Sequence, residues 1–258
     1  MALFNFEGKN IYYSELGSGV PLVLLHGNTA SSKMFSGIAE RYAEVFRVIS
    51  IDFLGHGRSD RLDRLPPDLW FYEAQQTIAF LREAQLGRVN LIGSSGGALV
   101  AINVALEAPD LVNRVIADSF EGEEPLRSFI QNIVEERELS KRDPGARSFY
   151  LSMHGSDWEQ VVDNDTRAIV EHEKEIGLFF HKDLGSLKPE ILMTGSKKDE
   201  FVCAISPDYF EQSYGKMMSK IGHGDIFLFE SGGHPAMLSN QEDFYRLSVD
   251  FFERKSPQ

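Results

Sequence analysis

A serine at position 95 lies in a pattern that makes serine hydroxyls reactive. It is the centre of residues 93–97, GSSGG, which fit Gly-x-Ser-x-Gly and stand between a short apolar run and a helical pattern. A strand, a sharp turn and a helix in this order form a nucleophile elbow, in which the central serine has a strained backbone and an exposed hydroxyl. Side chains in place of the flanking glycines would collide with the neighbouring strand and helix. Ser95, and not Ser94, is therefore the predicted nucleophile.

His234 is the histidine best placed to act as a base for Ser95. It follows two glycines after the last predicted strand and precedes the last predicted helix, so its imidazole can lean over the elbow. A serine hydroxyl needs such a base because it is a weak nucleophile at neutral pH, and the base needs an anion that fixes its tautomer and stabilises its cation. Four other histidines are predicted to be surface loop residues: His154, His172, His181 and His223.

Asp199 is the first candidate for that anion. It follows the strand predicted at 191–193 and precedes His234, which completes the chain order serine, aspartate, histidine. Asp118 follows the strand predicted at 114–117 and could also reach the histidine, so it stays open as an alternative. Glu200 is the neighbour of Asp199 and is expected to point away.

The tetrahedral intermediate of acyl transfer needs N–H donors for its oxyanion. The backbone amide of Gly96, directly after the nucleophile, is one predicted donor, and Asn28, in the loop after the strand at 21–25, is the other. Asp52 and His56 lie in another loop at a strand end, and they are expected to bond local backbone amides rather than to form a second catalytic pair.

The elements that must position these residues alternate between strand and helix. Strands are predicted at 3–6, 11–16, 21–25, 45–51, 89–92, 114–117, 191–193 and 226–229, and helices at 32–42, 68–85, from the elbow to 107, at 207–220 and at 241–254. The alternation fails over 119–188, which is helical by pattern and rich in charges. The sequence therefore predicts one α/β domain, residues 1–118 and 189–258, whose mostly parallel sheet has a helical cap, 119–188, over its carboxyl edge.

The predicted cap contains more aromatic residues than a solvated pair of helices needs. Five residues are candidates for an apolar wall of the substrate pocket: Phe129, Tyr150, Met153, Trp158 and Phe179. Such a wall predicts a small or medium apolar acyl group in preference to a charged or polymeric one. The alternative for each of these residues is that it packs the cap helices together.

Composition excludes several classes of function. The chain has 258 residues, 42% apolar and 25% charged, which is typical of a globular protein. A formal net charge of −13 argues against a nucleic-acid partner. No apolar stretch approaches a membrane span and the first residues lack a signal-peptide pattern, so a soluble cytoplasmic protein is predicted. The single cysteine, Cys203, excludes an internal disulfide and a cysteine metal cluster.

Five motifs in order carry a family resemblance. They are the His-Gly-Asn at 26–28, the D-x-x-G-H-G-x-S at 52–59, the elbow at Ser95, Asp199 after a strand and a glycine, and the Gly-His that ends at His234. Together they resemble the α/β-hydrolase superfamily over nearly all of the chain outside the cap. One local departure is an extra residue between the glycine at 195 and Asp199. The resemblance implies an eight-stranded sheet with a helical cap, and neither a metal nor an organic cofactor.

The resemblance also narrows the reaction. Haloalkane dehalogenases and epoxide hydrolases carry an aspartate where Ser95 stands, and carbon–carbon bond hydrolases usually have a glycine-proline run that is absent from 28–30. Hydrolysis of a small-molecule carboxylic ester or thioester is therefore predicted, and amidase and perhydrolase variants are not distinguished. The alternative class is a ligand-binding or receptor member of the fold with little turnover. A monomer and a homodimer are equally compatible with the sequence.

Overall fold

An eight-stranded β-sheet forms the centre of this structure, a computed structural model that describes residues 2–202 and 205–254. Its strands are β1 (Ala2–Phe6), β2 (Lys9–Gly17), β3 (Val20–Leu25), β4 (Phe46–Ile51), β5 (Val89–Ser94), β6 (Val112–Asp118), β7 (Glu190–Ser196) and β8 (Asp225–Phe229). The helices of the described residues are α1 (Ile38–Tyr42), α2 (Leu69–Ala84), α3 (Gly96–Glu107), α4 (Arg127–Ser140), α5 (Pro144–His154), α6 (Trp158–Glu175), α7 (Tyr209–Ile221), α8 (Ala236–Ser239) and α9 (Gln241–Glu253). Cys203 lies outside the described residues. The predicted α/β class and the eight-stranded, mostly parallel sheet are confirmed.

The strand order places the candidate loops side by side. The order is β1, β2, β4, β3, β5, β6, β7, β8. The pairs β1–β2 and β2–β4 are antiparallel, and all other neighbouring pairs are parallel. In the register of the sheet, Leu91 of β5 lies between Val23 of β3 and Val115 of β6. The carboxyl ends of these three strands therefore meet at one edge, with the end of β5 in the middle.

Helices cover both faces of the central strands. In β3, Leu22 and Leu24 belong to the apolar cluster that includes α1 and α9, whereas Val23 and Leu25 belong to the cluster that includes α2 and α3. Side chains of successive strand residues point to opposite faces. A strand between two helical layers is therefore apolar at nearly every position, which explains the uninterrupted run that predicted β3.

The chain between β6 and β7 forms three helices, α4, α5 and α6, which we call the cap. Tyr150 of α5 stacks on Trp158 of α6 with ring centroids 5.6 Å apart, and both pack on Val162. The cap also contacts the sheet edge, because Asp165 of α6 accepts a hydrogen bond of 3.1 Å from the backbone N–H of Thr29 after β3. The cap thus lies over the carboxyl ends of the strands.

Two local differences from the predicted elements concern short helices. The segment 32–42 is not one helix but a 3-10 turn, Ser32–Phe35, followed by α1 from Ile38. Gly37 separates them at φ 81°, a left-handed conformation that glycine adopts at little cost and that interrupts the helical path. The single turn α8 has no counterpart among the predicted helices. No helix in the described ranges has both the length and the hydropathy to cross a membrane.

Candidate active site

Ser95 lies at the turn between β5 and α3 in a backbone conformation that few residues with a Cβ adopt. Its φ is 55° and its ψ is −125°, and such a conformation is strained. A Cβ atom on Gly93 would overlap the carbonyl of Gly97, and one on Gly97 would overlap the carbonyl of Leu25. The turn can therefore be this tight only with glycine at both positions. It places Ser95 at the wall of a cavity between the sheet edge and the cap.

The structure brings Ser95, His234 and Asp199 together. The Nε2 atom of His234 is 3.0 Å from Oγ of Ser95, and its Nδ1 atom is 2.8 Å from Oδ2 of Asp199. A carboxylate only accepts hydrogen bonds, so Nδ1 carries the proton and Nε2 is free to accept one from the serine hydroxyl. The Asp199 side chain is fully buried, while 18% of the His234 side chain is exposed. This arrangement can move a proton from Ser95 to His234 and stabilise the resulting imidazolium.

The loops that hold His234 and Asp199 are also bonded to each other. Oδ1 of Asp199 accepts a hydrogen bond of 3.0 Å from the N–H of Phe201, whose ring packs edge-on against the imidazole at 4.8 Å. Oε2 of Glu200 accepts a hydrogen bond of 3.0 Å from the backbone N–H of His234. The expectation that Glu200 points away is therefore wrong: its side chain turns back along the exposed surface and supports the histidine loop.

Asp118, the alternative acid, bonds other groups than the imidazole. Its Oδ1 accepts hydrogen bonds from the hydroxyls of Thr194, at 2.8 Å, and Ser119, at 3.3 Å, and its Oδ2 accepts one of 3.0 Å from the N–H of Met237. Burial raises the pKa of Asp118 to about 6, although these bonds oppose the shift. Asp118 thus fixes the start of α8, which follows His234 in the sequence, through its hydrogen bond with Met237.

Gly96 and Asn28 both line the cavity beside Ser95. The amide of Gly96 is the first in α3, so it has no partner within that helix and can be offered to an oxyanion. The Asn28 side chain is fixed on both sides, since its Oδ1 accepts a hydrogen bond of 3.2 Å from Nε1 of Trp70 and its Nδ2 donates one of 3.1 Å to Oδ2 of Asp165. A Cβ on Gly96 would overlap the Asn28 carboxamide. The two predicted donors are therefore closely packed.

Asp165, which was not among the predicted site residues, anchors this loop from the cap. Its Oδ2 accepts hydrogen bonds of 3.1 Å each from Nδ2 of Asn28, the N–H of Thr29 and Nε2 of His56. Burial alone would raise the pKa of Asp165, but the hydrogen bond and charge of His56 and the charge of Arg137 outweigh it and lower the pKa. One signal was present in the sequence. Asp165 stands on the apolar face of α6, four positions after Val161.

Two histidines that were expected at the surface are buried. Nδ1 of His154 accepts a hydrogen bond of 3.0 Å from the N–H of Gly57, and its Nε2 donates one of 3.0 Å to the carbonyl of Thr29. Burial lowers the pKa of His154 to about 3 and also lowers the pKa of His172, whose Nδ1 bonds the carbonyl of Pro67 at 3.0 Å. The expectation is wrong for these two because they join cap helices to strand-end loops. His181 is exposed and forms an ion pair with Asp68, and His223 is half-buried.

The loop of Asp52 and His56 matches the expectation at one residue only. Asp52 accepts a hydrogen bond of 2.8 Å from the local backbone amide of Arg58, as expected, and a second one of 2.7 Å from the amide of Ser32, which lies after β3. His56 differs, because its Nε2 bonds the carboxylate of Asp165 instead of a local amide. Both side chains are buried beneath the site and neither lines the cavity.

The cavity above Ser95 has a volume of about 320 Å³ and mostly apolar walls. Among the five cap residues predicted to form its wall, only Phe129 lines it. The other four pack elsewhere: Tyr150 and Trp158 on each other, Phe179 on Trp70, and Met153 on Ser31. The wall comes mainly from other apolar residues: Met34, Trp70, Leu99, Phe120, Leu126, Phe149, Ile169, Phe201, Val202 and Leu238. The prediction was wrong for these four residues because their side chains join the cap helices to each other, to α2 and to the loop after β3.

Among the described residues, two charged side chains line the cavity in addition to His234, namely Glu121 and Arg137. Burial raises the pKa of Glu121 to about 7, and the nearby imidazole of His234 opposes this shift. Arg137 comes from α4 and donates hydrogen bonds to the hydroxyls of Thr29, which lines the cavity, and of Tyr150, which lies behind Arg137 in the cap. Within residues 2–202 and 205–254, no three His, Cys, Asp or Glu side chains are grouped as metal ligands would be. The absence of a cofactor stays a prediction.

The fold and the Ser95 site define the class of an α/β hydrolase. The model of the family described as "alpha/beta hydrolase fold" matches residues 20–217, so the chain belongs to this family. The predicted resemblance is confirmed.

Curated relatives and a solved structure extend this finding. The chain is 36% identical over 113 residues, 42% of its length and 41% of the relative, to (E)-2-((N-methylformamido)methylene)succinate hydrolase of Acinetobacter baylyi. It is 24% identical, over an alignment of 277 positions that covers 98% of this chain and 90% of the relative, to 2-hydroxy-6-oxo-6-(2'-aminophenyl)hexa-2,4-dienoic acid hydrolase of Metapseudomonas resinovorans. An esterase structure from Exiguobacterium antarcticum, 21% identical, superposes with a TM-score of 0.74 over 96% of this chain and 97% of the esterase, which shows the shared fold alone.

Proposed function

We propose that this protein is a serine hydrolase that cleaves the carboxylic ester or thioester of a small molecule through an acyl-enzyme intermediate. The observation that carries the proposal is the continuous contact from Asp199 through His234 to Ser95, with distances of 2.8 and 3.0 Å. These are hydrogen-bond distances within the range that proton transfer between a nucleophile and its base requires.

The proposed reaction has two halves. In the first, Oγ of Ser95 attacks the carbonyl carbon while Nε2 of His234 takes the hydroxyl proton. The backbone N–H groups of Asn28 and Gly96 stabilise the oxyanion. The imidazolium then gives its proton to the leaving oxygen or sulfur, and the acyl group stays on Ser95. In the second half, His234 removes a proton from a water molecule, which attacks the acyl-enzyme and releases the acid.

The cavity supports a substrate of limited size. Its volume of about 320 Å³ and its apolar walls suit a small or medium acyl group and not a polymer. The cap residue Phe129 and the core residues Trp70 and Leu99 would contact such a group.

Hydrolysis of a carbon–carbon bond is the second candidate. The Metapseudomonas relative aligns over almost the full length of both chains. The substrate given in the name of that relative has a ketone group and neither an ester nor an amide. Residues 28–30 lack the glycine-proline run that carbon–carbon bond hydrolases usually have, but this match keeps carbon–carbon bond hydrolysis as a candidate reaction. In this reaction Ser95 or an activated water would attack the ketone carbon, and a carbon leaving group would take the proton.

The proposal is tested with phenyl and p-nitrophenyl esters of two to eight carbons and a fluorophosphonate probe. We expect an initial burst, stoichiometric labelling and loss of both in Ser95→Ala. Ser94→Ala is the matched control, because Ser94 is the buried neighbour in β5 and should retain activity. Turnover of the wild type no faster than that of Ser95→Ala would refute the proposal and favour the ligand-binding alternative. A higher kcat/KM for a 2-hydroxy-6-oxodienoate than for every ester would favour the second candidate.

A further inference from the structure

Arg137 is the one lysine or arginine among the described residues that line the cavity. Its Nη1 donates hydrogen bonds to the hydroxyl of Tyr150, at 2.9 Å, and to Oγ1 of Thr29, at 3.1 Å. Both partners are neutral. In residues 2–202 and 205–254, no carboxylate oxygen forms an ion pair with this guanidinium within 4.0 Å. The positive charge therefore faces the cavity without a directly bound anion.

Both partners hold the guanidinium in a fixed place. Thr29 follows the proposed oxyanion donor Asn28, and the Thr29 hydroxyl donates its own proton to the Asn28 carbonyl at 2.7 Å, so it can only accept from Arg137. Tyr150 is buried and stacked on Trp158. The hydrogen bonds of Arg137 to the described residues all use Nη1, which leaves Nη2 and Nε for another acceptor.

The described residues that line the cavity include one acidic side chain, Glu121, and one basic side chain, Arg137. Glu121 lies near His234, whose charge affects its pKa, whereas Arg137 lies above the oxyanion loop. Asp165 lies behind that loop, and its carboxylate oxygen Oδ2 is occupied by three donors from the loop and from His56. An anionic group in the cavity is therefore attracted to Arg137, whereas Glu121, whose pKa is raised to about 7 by burial, offers it no positive charge.

The geometry of acylation gives the orientation of the substrate. The leaving atom must face Nε2 of His234, and the carbonyl oxygen must face the amides of Asn28 and Gly96. The acyl chain takes the remaining direction, and Arg137, which bonds Thr29 and Tyr150, is the one basic side chain that the described lining of the cavity offers to the far end of that chain. An arginine with two free donors matches a carboxylate in planar, bidentate geometry.

We propose that Arg137 binds a carboxylate at the far end of the acyl chain, so that the preferred substrates are monoesters or monothioesters of short dicarboxylic acids. This inference rests on the proposed function of Ser95. It replaces the expectation of an uncharged acyl group with that of an apolar chain that ends in an anion.

The test compares two esters of the same length and leaving group, phenyl hexanoate and the monophenyl ester of adipic acid. We expect the wild type to prefer the adipate ester by kcat/KM. In Arg137→Gln the ratio of the two kcat/KM values should fall about 10- to 100-fold, the range for a charge-assisted hydrogen bond. Arg137→Lys should recover part of the ratio, because it restores the charge but not the planar fork. Arg142→Gln is the matched control, because Arg142 follows the same helix and is exposed.

Three outcomes would overturn the inference. The first is that the wild type shows no preference for the adipate ester. The second is an equal loss of kcat/KM on both esters in Arg137→Gln, which would indicate that Arg137 only holds Thr29. The third is a preference for an ester whose carboxylate is on the leaving group. Calorimetry of adipate and hexanoate binding to Ser95→Ala separates this inference from the proposed function, since it needs no turnover. Tighter binding of adipate that depends on Arg137 would support the inference even if no ester were hydrolysed, and equal binding of the two acids would refute it.

Discussion

Replacement of Asp165 by asparagine removes one buried charge and leaves the shape of the side chain unchanged. All three hydrogen bonds to this carboxylate end on Oδ2, while Oδ1 is buried without a partner among the described residues. An asparagine can place its carbonyl oxygen at the position of Oδ2 and its NH2 group at the position of Oδ1. The three contacts would then persist as neutral hydrogen bonds, and the NH2 group would be buried without an acceptor.

The magnitude follows from this geometry. Hydrogen bonds to a charged group contribute about 1.5–3 kcal/mol and neutral ones about 0.5–1.5 kcal/mol, so each of the three bonds should weaken by about 1 kcal/mol. We therefore expect the free energy of unfolding of Asp165→Asn to fall by about 3 kcal/mol, with a further loss from the unpaired NH2 group. The substitution also removes the repulsion between Asp165 and the buried Glu73, whose pKa is raised by burial and by the charge of Asp165, and this relief offsets a part of the loss.

The assay measures unfolding in urea at pH 7.5 together with kcat on a neutral phenyl ester. Activity should fall as well, because Asp165 holds the loop that contains Asn28 and Thr29. The loss of one oxyanion donor costs about 10²- to 10³-fold in kcat, and this sets the upper limit of the effect. Asp163→Asn is the matched control, since Asp163 lies on the same helix, is exposed and, among the described residues, forms an ion pair with Lys141 alone. Its effect should stay below about 1 kcal/mol.

A wild-type free energy of unfolding in Asp165→Asn would refute the reasoning about the charge. A destabilised variant with unchanged kcat would refute the reasoning about the loop, because the cap would then stabilise the protein without positioning the proposed oxyanion donor.

Three further predictions concern the site and its histidines. Gly96→Ala should lower kcat by about 10²- to 10³-fold, since the added Cβ overlaps the neighbouring carboxamide and displaces an oxyanion donor, and KM should change less. Asp199→Asn should lower kcat by about 10⁴-fold through the wrong imidazole tautomer, whereas Asp118→Asn should lower it less than 10-fold, and the reverse ranking would move the role of orienting acid to Asp118. The pKa of His154 is lowered from 6.5 to about 3 by burial. Between these two pH values the histidine is protonated in the unfolded chain but not in the folded protein, so the stability that is present above pH 6.5 is lost as the pH falls toward 3. The stability of His154→Gln relative to the wild type should therefore rise by about 2 kcal/mol between pH 7.5 and pH 5 in urea unfolding, and a pH-independent difference would contradict this.

The elements and the elbow were predictable because their causes are local. A strand covered on two faces must be apolar throughout, and the run at 21–25 predicted β3 for that reason. The turn around Ser95 needs glycine at 93 and 97, and each of these positions is two residues from Ser95 in the sequence. The broken helix at 32–42 was missed because Gly37 is tolerated in a helical pattern, and only the observed φ shows that it ends one.

The choice of acid needed the tertiary structure. Asp118 and Asp199 follow the neighbouring parallel strands β6 and β7, so both stand at the correct edge. The loop after β7 carries Asp199 to Nδ1 of His234, while Asp118, directly at the end of β6, bonds groups below the imidazole. Patterns of residue type cannot distinguish two carboxylates whose difference is the path of one loop.

The sequence by itself determined the α/β architecture, the elbow and the residues that the chain places at the carboxyl edge of the sheet. Only the tertiary structure decided what the cap does there. The bond from Asp165 to Thr29 joins residues 136 positions apart, and that from Arg137 to Thr29 joins residues 108 apart. Such contacts depend on how separately formed helices dock, and no local periodicity encodes them. For this reason four of the five cap residues predicted to face the substrate are packing residues, and the charged group that faces the cavity is one that the apolar pattern passed over.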